Sequence, residues 1–235
     1  MTDFQAAVHR AMHAWIQPRD FAEARAIQYR LARQVRVDDG PTEWRWVLGL
    51  DGAFVRDDRV MLAGAVLWDR MQNAVTACWI AHTEVRMPYR PGFLSFRETP
   101  GYLAVLQQVD RPVDVLIVDG QGIAHPRGLG IAAHLGVLLD WPTIGVGKTR
   151  LFGVHAEPAP EAGHWTPLRH PRTHRTIGAV VRTRRRVRPV FVSPGHRVSV
   201  SVAVQIVLAT CRGYRLPEPQ RHAHRWVTQR RKEWQ

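Results

Sequence analysis

Apolar side chains recur at intervals of three and four residues in the segment 20–35, where they comprise Phe21, Ala24, Ile27, Leu31 and Val35. This spacing predicts an amphipathic helix, because one face of an α-helix repeats every ~3.6 residues. Asp20 precedes the first apolar position and is a suitable N-cap.

Apolar and β-branched residues then dominate three runs, over residues 44–55, 59–69 and 74–85, which short polar turns separate. We interpret these runs as a three-stranded antiparallel meander. The run over residues 113–120 is continuously apolar and ends in Asp-Gly. Such a run is typical of a parallel strand that is covered on both faces.

Helical and strand patterns alternate through the rest of the chain. Helices are predicted from about Phe96, over 128–140, over 198–214 with Gly213 at its end, and in a basic C-terminal stretch at about 217–235. Ser95 and Glu98 fit a capping box for the first of these helices. Strands are predicted over 142–147 and twice within 180–195, with Arg182–Arg188 as a basic edge or turn. The order predicts an α/β protein in which helices flank a mixed sheet.

The segment 155–175 has no apolar period and contains four prolines and four histidines. Clustered histidines can bind a metal ion, but no pair here has a spacing that would aim two imidazoles at one point. A solvated loop is therefore the favoured interpretation.

The 235 residues are 45% hydrophobic, and no Gly/Ser-rich linker or charge block divides them. We expect one domain over residues 1–235, acting as a monomer. Lysine and arginine number 33 against 20 aspartates and glutamates, which gives a formal net charge of +13. A protein with this positive charge attracts polyanions, so nucleic acid is the leading partner. Unrelated arginine-rich proteins are also basic, so the charge alone does not decide the partner.

Cys78 and Cys211 lack the spacing of a metal or redox motif, and we interpret both as small buried hydrophobes. The first 17 residues lack the apolar core of a secretory signal. No stretch approaches the roughly 20 apolar residues of a membrane span. These features predict a cytoplasmic protein without membrane contact.

The stretch "MPYRPGFLSFRE", residues 87–98, contains a turn made of Pro88, Tyr89, Arg90 and Pro91. Proline fixes φ near about −65° and removes an amide donor, so this turn is rigid. The turn presents an aromatic side chain, and the carboxylate of Glu98 follows it closely.

Two further carboxylates occupy unusual positions in predicted strands. Asp51 interrupts an apolar strand, and burial of an unpaired carboxylate costs free energy. Asp119 closes the apolar run 113–119, and ligands of α/β sheets collect at such strand ends. If these strands pair, both aspartates face one crevice, and the helix start brings Glu98 to it. Pairing with an arginine is the structural alternative for Asp51.

Three converging carboxylates would supply the oxygen ligands that Mg²⁺ or Mn²⁺ prefers. Such an ion activates water and neutralises the charge of a scissile phosphate. We therefore interpret a basic protein with this site as a phosphodiester hydrolase. Only the complete set of three makes an enzyme preferable to separate structural ion pairs.

The stretch "GVGKTR", residues 145–150, suggests a phosphate-binding loop, but that interpretation fails. The loop needs glycine five positions before Gly147, and residue 142 is proline, which has no amide to donate. Lys148 remains, beyond a buried strand end. It either contacts a phosphate, positions the attacking water, or is an ordinary solvated lysine.

Five motifs occur in order between Trp46 and His224: "YRPGFLSFRE", "VDGQGIAHPRGLG", "PTIGVGKTRL", "GHRVSV" and "GYRLPEPQR". Together they closely resemble the endonuclease V family, the deoxyinosine 3′ endonucleases. The resemblance implies a ribonuclease H-like fold, dependence on Mg²⁺ with Mn²⁺ as a substitute, and a role in DNA repair. It also implies hydrolysis of the second phosphodiester bond 3′ to a hypoxanthine base, with 5′-phosphate and 3′-hydroxyl ends.

The resemblance assigns roles residue by residue. Asp51, Glu98 and Asp119 match the family's metal-binding carboxylates, and Lys148 matches its catalytic lysine. His224 matches a histidine that helps at the metal in some members. Gly52 stands where the family usually carries an apolar residue, which would loosen the strand without removing a ligand.

The motif "PYRP" matches the family's wedge, which pushes a tyrosine into the strand beside a deaminated base. Tyr89, held by Pro88 and Pro91, would stack in the gap left by an extruded nucleotide. Arg90 would add a phosphate contact. The stretch "GQGIAHPR" would form the base pocket, with Gly120, Gly122 and His125, and a tight turn is the alternative reason for its glycines.

Two other functions stay open at this point. A non-catalytic nucleic-acid-binding protein could keep the fold and the wedge, although all three carboxylates are present. Inosine-containing RNA is an alternative substrate to DNA containing deoxyinosine, since the sequence shows no clear reader of a 2′-hydroxyl.

Overall fold

The computed structural model describes residues 2–234 and contains a mixed sheet of eight strands in the order β3-β2-β1-β4-β5-β8-β7-β6. Met1 and Gln235, which belong to the predicted domain 1–235, lie outside the described residues. The strands are β1 (Trp46–Val55), β2 (Val60–Asp69), β3 (Ala74–Glu84), β4 (Val115–Asp119), β5 (Thr143–Gly147), β6 (Trp165–Arg169), β7 (Thr176–Val181) and β8 (Val190–His196).

Helices cover both faces of this sheet. They are α1 (Asp3–Ala14), α2 (Phe21–Ala32), α3 (Leu94–Leu106), α4 (Ile131–Leu139), α5 (Val200–Ala209) and α6 (Glu218–Arg231), which a 3-10 turn (Lys232–Trp234) follows. Side chains of α1, α3 and α4 share one core with β1, β2 and β4, and those of α5 share a second core with β4, β5, β7 and β8. The ribonuclease H-like α/β prediction, a mixed sheet flanked by helices, is confirmed.

The centre of the sheet combines antiparallel and parallel pairing. β1 and β2 pair antiparallel and so do β2 and β3, which confirms the predicted meander. On its other edge β1 pairs with β4 in parallel, and β4 pairs with β5 in parallel. The carboxyl ends of β1, β4 and β5 therefore meet at one end of the sheet.

Helix α2 follows the predicted pattern, and Asp20 is its N-cap, accepting a hydrogen bond from the Glu23 amide. The predicted capping box of Ser95 and Glu98 is wrong. α3 begins at Leu94 with Phe93 as N-cap and no side-chain cap, and both predicted capping residues are buried within the helix. The capping-box spacing was misleading because Ser95 and Glu98 line a buried cavity instead of bonding to the amides at the helix start.

Two elements were not predicted from the sequence. α1 lies in the N-terminal segment, where Thr2 and Gln5 form a capping box at its start. β6 lies in the segment predicted as a loop and pairs with β7 at the edge of the sheet. Pro167 is compatible with β6 because an edge strand does not need every amide for pairing.

Other boundaries and environments also differ from the predictions. α5 ends at Ala209 instead of reaching Gly213. Cys78 is exposed, so its interpretation as a buried hydrophobe is wrong, whereas Cys211 is half-buried and packs against the core under α5. Among residues 2–234, every helix is too short or too polar to span a bilayer.

Candidate active site

Asp51, within β1, and Asp119, the last residue of β4, lie side by side just beyond the parallel pairing of these two strands. The parallel register of β1 and β4 ends with Leu50 opposite Val118, and each aspartate is the next residue of its strand. Alternation along the strands turns both carboxylates to the same face. Asp51 is 5% exposed, so the predicted burial of this carboxylate is confirmed.

Helix α6 supplies partners to both carboxylates. His224 Nδ1 lies 2.6 Å from Asp51 Oδ2, and Gln220 Nε2 donates to Asp119 Oδ1 at 3.0 Å. The helix reaches this position because it packs directly on β1. A Cβ at Gly49 would stand 2.2 Å from the carbonyl of Pro219, so only glycine permits this approach.

Lys148, the residue directly after β5, extends its side chain to the two aspartates. Its Nζ donates to Asp119 Oδ2 at 2.5 Å. Partial burial alone would lower the pKa of Lys148, but the negative charge of Asp119 outweighs it and the pKa is raised. Lys148 is therefore a fixed cation beside the two aspartates, and its interpretation as an ordinary solvated lysine does not fit this geometry.

Glu98 approaches from the other side, on α3. It is 8% exposed, and the hydroxyl of buried Tyr102, one helical turn further, lies 3.3 Å from its Oε2. Burial, followed by repulsion from Asp119 and Asp51, raises the pKa of Glu98 to about 8. The carboxylate of Glu98 is therefore close enough to those of Asp51 and Asp119 to be repelled by their charges.

Burial, followed by the charge of Asp119, raises the pKa of Asp51 to about 6, although Lys148 and His224 oppose the shift. The same causes act on Glu98. A raised carboxyl pKa means that the surroundings disfavour the charged form. With all three carboxylates ionised, the cluster would carry more negative charge than its burial tolerates, and a cation would relieve this.

These side chains line one cavity of about 370 Å³. Of the residues predicted for the site, the cavity is lined by Asp51, Tyr89, Pro91, Glu98, Asp119, Gly120, His125 and Lys148. His224 lines an adjoining cavity of about 330 Å³, which shares Asp51 with the first. Pro88, Arg90 and Gly122 line neither cavity.

Within residues 2–234, no three His, Cys, Asp or Glu side chains are arranged to hold a metal ion as they stand. This finding covers the histidines of segment 155–175 as well. In the carboxylate cluster, the side chains instead engage Lys148, His224 and Tyr102. The donor set nevertheless fits a hard divalent cation, because it offers carboxylate oxygens whose mutual repulsion a cation would relieve.

The Pro88–Pro91 turn stands at the mouth of the cavity. Tyr89 is 64% exposed, so its ring is free to meet a ligand and is not a core side chain. The guanidinium of Arg90 lies 4.7 Å from the ring centre of Phe21 on α2. Contact of Arg90 with a phosphate stays a prediction.

The loop after β4 carries the residues predicted to form a base pocket. Gly120 has φ +140°, which favours glycine. The Gly122 amide donates to Ser193 Oγ at 2.8 Å, and a Cβ at Gly122 would stand 1.9 Å from the Pro194 carbonyl oxygen. Gly122 is thus required for packing against β8, and contact of either glycine with a base stays a prediction.

His125 is buried, and burial, followed by the charge of Arg127, lowers its pKa to about 4. Its Nδ1 accepts from the Arg127 amide at 3.1 Å, so the proton of the neutral ring is on Nε2. Nε2 lies 3.1 Å from the carbonyl oxygen of Gly92. His125 thus joins the loop after β4 to the foot of the turn.

Sequence reasoning missed three polar residues at the site. Gln220 is fully buried and also donates to the carbonyl of Val146, while its Oε1 has no partner among residues 2–234. Gln28 of α2 and Gln121 also line the cavity. Gln121 and Gln220 fall inside the quoted motifs, but Gln28 carries no motif signal, because only the fold brings α2 to the cavity.

The model of the endonuclease V family matches residues 29–225. The chain belongs to the endonuclease V family. Endonuclease V of Alkalilimnicola ehrlichii is 47% identical over 218 residues, which cover 92% of this chain and 94% of that protein. The resemblance inferred from the five motifs is confirmed.

Solved structures share the fold over nearly the whole chain. The crystal structure of endonuclease V from Streptomyces avermitilis is 39% identical, has a TM-score of 0.86, and covers 92% of this chain and 95% of that chain. Endonuclease V of Ciona intestinalis, in complex with a 24mer DNA containing an inosine followed by a ribo-adenosine, is 24% identical with a TM-score of 0.80. It covers 91% of this chain and 98% of that chain, and this likeness concerns the fold.

Proposed function

We propose that this protein is a Mg²⁺-dependent endonuclease that recognises hypoxanthine in DNA and hydrolyses the second phosphodiester bond 3′ to it. The family membership supports the nuclease class. The observation that carries the proposal is that three acidic side chains and one exposed tyrosine line the same cavity. The whole chain would act as one nuclease domain and as a monomer.

The proposed metal ligands are Asp51, Glu98 and Asp119. When bound, Mg²⁺ neutralises phosphate charge and favours attack by water, and Mn²⁺ has the same preference for oxygen ligands. Gln220 holds one oxygen of Asp119, so only the other needs to leave Lys148 for a cation. His224 holds Asp51 in the same way from α6.

Lys148 would turn from Asp119 towards the scissile phosphate when substrate is present. Its ammonium is held near the cavity by the short strand β5, so little reorganisation is needed to stabilise developing charge. The product ends would be a 5′-phosphate and a 3′-hydroxyl. The net charge of +13 supports attraction of the polyanionic strand.

The Pro88–Pro91 turn would act as the wedge that separates a deaminated base from its neighbour. A ring held between prolines loses little conformational freedom on binding, and any nucleobase offers a face on which it can stack. The Ciona intestinalis protein binds inosine-containing DNA, which supports inosine-containing strands as the substrates to test.

The test is cleavage of end-labelled strands that differ at one nucleotide. DNA containing deoxyinosine, the same DNA with deoxyadenosine, and RNA containing inosine are incubated with Mg²⁺, with Mn²⁺, or with a chelator. We expect one cut per inosine strand, at the second bond on its 3′ side, and loss of cutting with the chelator. Sensitivity of the new 5′ end to phosphatase reports the end chemistry.

Asp119→Asn is the inactive variant for this test, and Asp110→Asn, at an exposed position away from the cavity, is its matched control. Binding of inosine strands without cleavage by the wild type would favour a non-catalytic protein. Faster cutting of RNA than of DNA would move the substrate to inosine in RNA. Equal cutting of the deoxyadenosine strand would refute recognition of a deaminated base.

A further inference from the structure

The backbone carbonyl of Gly92 accepts hydrogen bonds from three side chains. The donors are Gln28 Nε2 at 2.9 Å, His125 Nε2 at 3.1 Å and Arg127 Nη2 at 2.5 Å. A carbonyl oxygen has two lone pairs, so this acceptor is saturated. Gly92 directly follows the Pro88–Pro91 turn and has φ +80°, where glycine is favoured.

Gln28 is the residue that brings these groups together. It is 1% exposed and is the one polar side chain among the buried residues of α2. Its Oε1 accepts from Arg127 Nε at 2.5 Å, and its Nε2 also lies 3.4 Å from the carbonyl of Leu129. One buried amide therefore links α2, the foot of the turn and the loop after β4.

The prolines fix the shape of the turn but not its orientation relative to the sheet. Orientation needs contacts outside the turn, and Tyr89, which is 64% exposed, supplies little packing of its own. The saturated carbonyl of Gly92, three residues after Tyr89, is such a contact. Gln28 and His125 line the cavity that the carboxylates share, so the anchor joins the turn to the site.

We propose that Gln28 is a positioning residue, which holds the Pro88–Pro91 turn against the loop after β4. Held in this way, Tyr89 stands at a fixed distance from the cavity, and this distance allows the protein to discriminate inosine from adenosine. This inference rests on the proposed function, because it explains how that function reads its substrate. Gln28 acts through Gly92 and Arg127 and touches no reacting atom.

The experiment compares affinities for inosine and adenosine strands in Ca²⁺, which we expect to support binding without turnover. Gln28→Met keeps the volume and removes the amide. It should lower the affinity ratio between the two strands by about 3- to 10-fold, the range expected for loss of the one hydrogen bond that reaches the turn, at Gly92. Affinity for the adenosine strand should stay as in the wild type, because the basic surface that attracts any strand is untouched.

Two controls separate positioning from loss of structure. Gln34→Met removes an exposed glutamine just beyond α2 and should leave the ratio unchanged. Leu31→Ala removes buried apolar packing from α2 and should lower the melting temperature with no change in the ratio. If Gln28→Met does not fold, Gln28→Glu replaces it, since a carboxylate still accepts from Arg127 but cannot donate to Gly92.

A double-variant cycle with Tyr89→Ala decides the mechanism. In that background Gln28→Met should not change the ratio further, because the side chain that it positions is absent. Hydrogen exchange of the amides of residues 92–94 should be faster in Gln28→Met than in Gln34→Met. An unchanged ratio with Gln28→Met, or an equal loss in the Tyr89→Ala background, would overturn the inference. If the wild type binds inosine and adenosine strands equally, both the proposed function and this inference are refuted. If the wild type prefers the inosine strand and Gln28→Met does so equally, only this inference is refuted.

Discussion

His224 Nδ1 lies 2.6 Å from Asp51 Oδ2, although the two residues are 173 positions apart in the chain. Helix α6 makes this contact because it packs on β1 at Gly49. The neighbouring imidazole of His222 turns away, with its Nε2 3.0 Å from Glu218 Oε2 and its ring stacked on Trp68. The contact therefore supports His224, rather than His222, as the proposed histidine of the site.

We expect His224→Ala to lower the single-turnover cleavage rate by about 10- to 100-fold, as is usual when a residue that orients a metal ligand is lost. Asp51→Asn should reduce the rate further, to the background. His222→Ala is the matched control and should cleave at the wild-type rate. If both histidine variants cleave alike, His224 has no special role at Asp51.

Lys148 and Lys232 are the two lysines of the chain, and they provide a matched pair of variants. Lys148→Met should slow the chemical step by about 10²–10³-fold, the usual cost of losing one group that stabilises transition-state charge. Its affinity for the substrate should change little, because the remaining arginines supply most of the attraction. Lys232→Met, in the exposed C-terminal turn, should retain the rate.

Single-turnover kinetics measures the lysine effect, since it separates binding from chemistry. A Lys148→Met rate near that of the wild type would leave the lysine with a structural role at Asp119. An affinity loss as large as the rate loss would instead place it among groups that bind the substrate before reaction.

Gln220 holds Asp119 from α6, so its replacement should weaken metal binding. Gln220→Leu should raise the Mg²⁺ concentration required for half-maximal cleavage by about 10- to 100-fold, while saturating Mg²⁺ restores much of the rate. Gln229→Leu, exposed on the same helix, is the control. A rate that no Mg²⁺ concentration restores would mean that Gln220 supports the fold of the site rather than the ligand.

The sequence predicted the carboxylate cluster because a buried aspartate within an apolar strand is costly, as at Asp51, and because Asp119 ends another apolar strand, where ligands of α/β sheets collect. It did not predict the partners of these carboxylates. Gln220 and Gln28 each form their decisive contacts with residues more than 60 positions away. Isolated polar residues in helices show no periodic signal of such contacts.

Local patterns failed where burial reversed their usual meaning. Ser95 and Glu98 have the spacing of a capping box, yet the structure uses Glu98 at the cavity and leaves Ser95 Oγ without a partner among residues 2–234. Pro167 indicated a loop, yet it lies in an edge strand. Both failures arise because tertiary position, which a short pattern does not contain, decides which groups need hydrogen bonds.

His134 makes the stability of the fold depend on pH. Complete burial, with its ring near those of Trp15 and Phe96, lowers its pKa from the ordinary 6.5 to about 3. Between these values the unfolded chain binds a proton that the folded protein does not. Stability should therefore be fully present above pH 6.5 and fall by about 1.4 kcal/mol per pH unit below it from this residue alone.

Chemical unfolding at a series of pH values measures this contribution. His134→Phe keeps an aromatic ring and removes the titration, so its free energy of unfolding should fall less steeply between pH 6.5 and pH 4 than that of the wild type. His164→Phe, at an exposed position, is the matched control. Equal slopes for wild type and His134→Phe would show that other groups account for the acid sensitivity.

Tyr89 is exposed at the mouth of the cavity, and its ring is the part that the proposed function uses. Tyr89→Ala should weaken binding to inosine strands in Ca²⁺ by about 1–3 kcal/mol, the usual range for a stack between a base and an aromatic ring. Tyr89→Phe should bind as the wild type does, because it keeps the ring and loses only the hydroxyl. Binding to unmodified strands should hardly change in either variant.

Thermal melts of the same proteins distinguish a stacking residue from a structural one. Since the side chain is 64% exposed, Tyr89→Ala should melt within a degree or two of the wild type, as surface substitutions usually change stability by less than about 0.5 kcal/mol. A structural tyrosine would lower the melting temperature and weaken binding to both kinds of strand together. Equal affinity of Tyr89→Ala and wild type for inosine strands would exclude the wedge, while cleavage by the wild type would still stand as evidence for the nuclease.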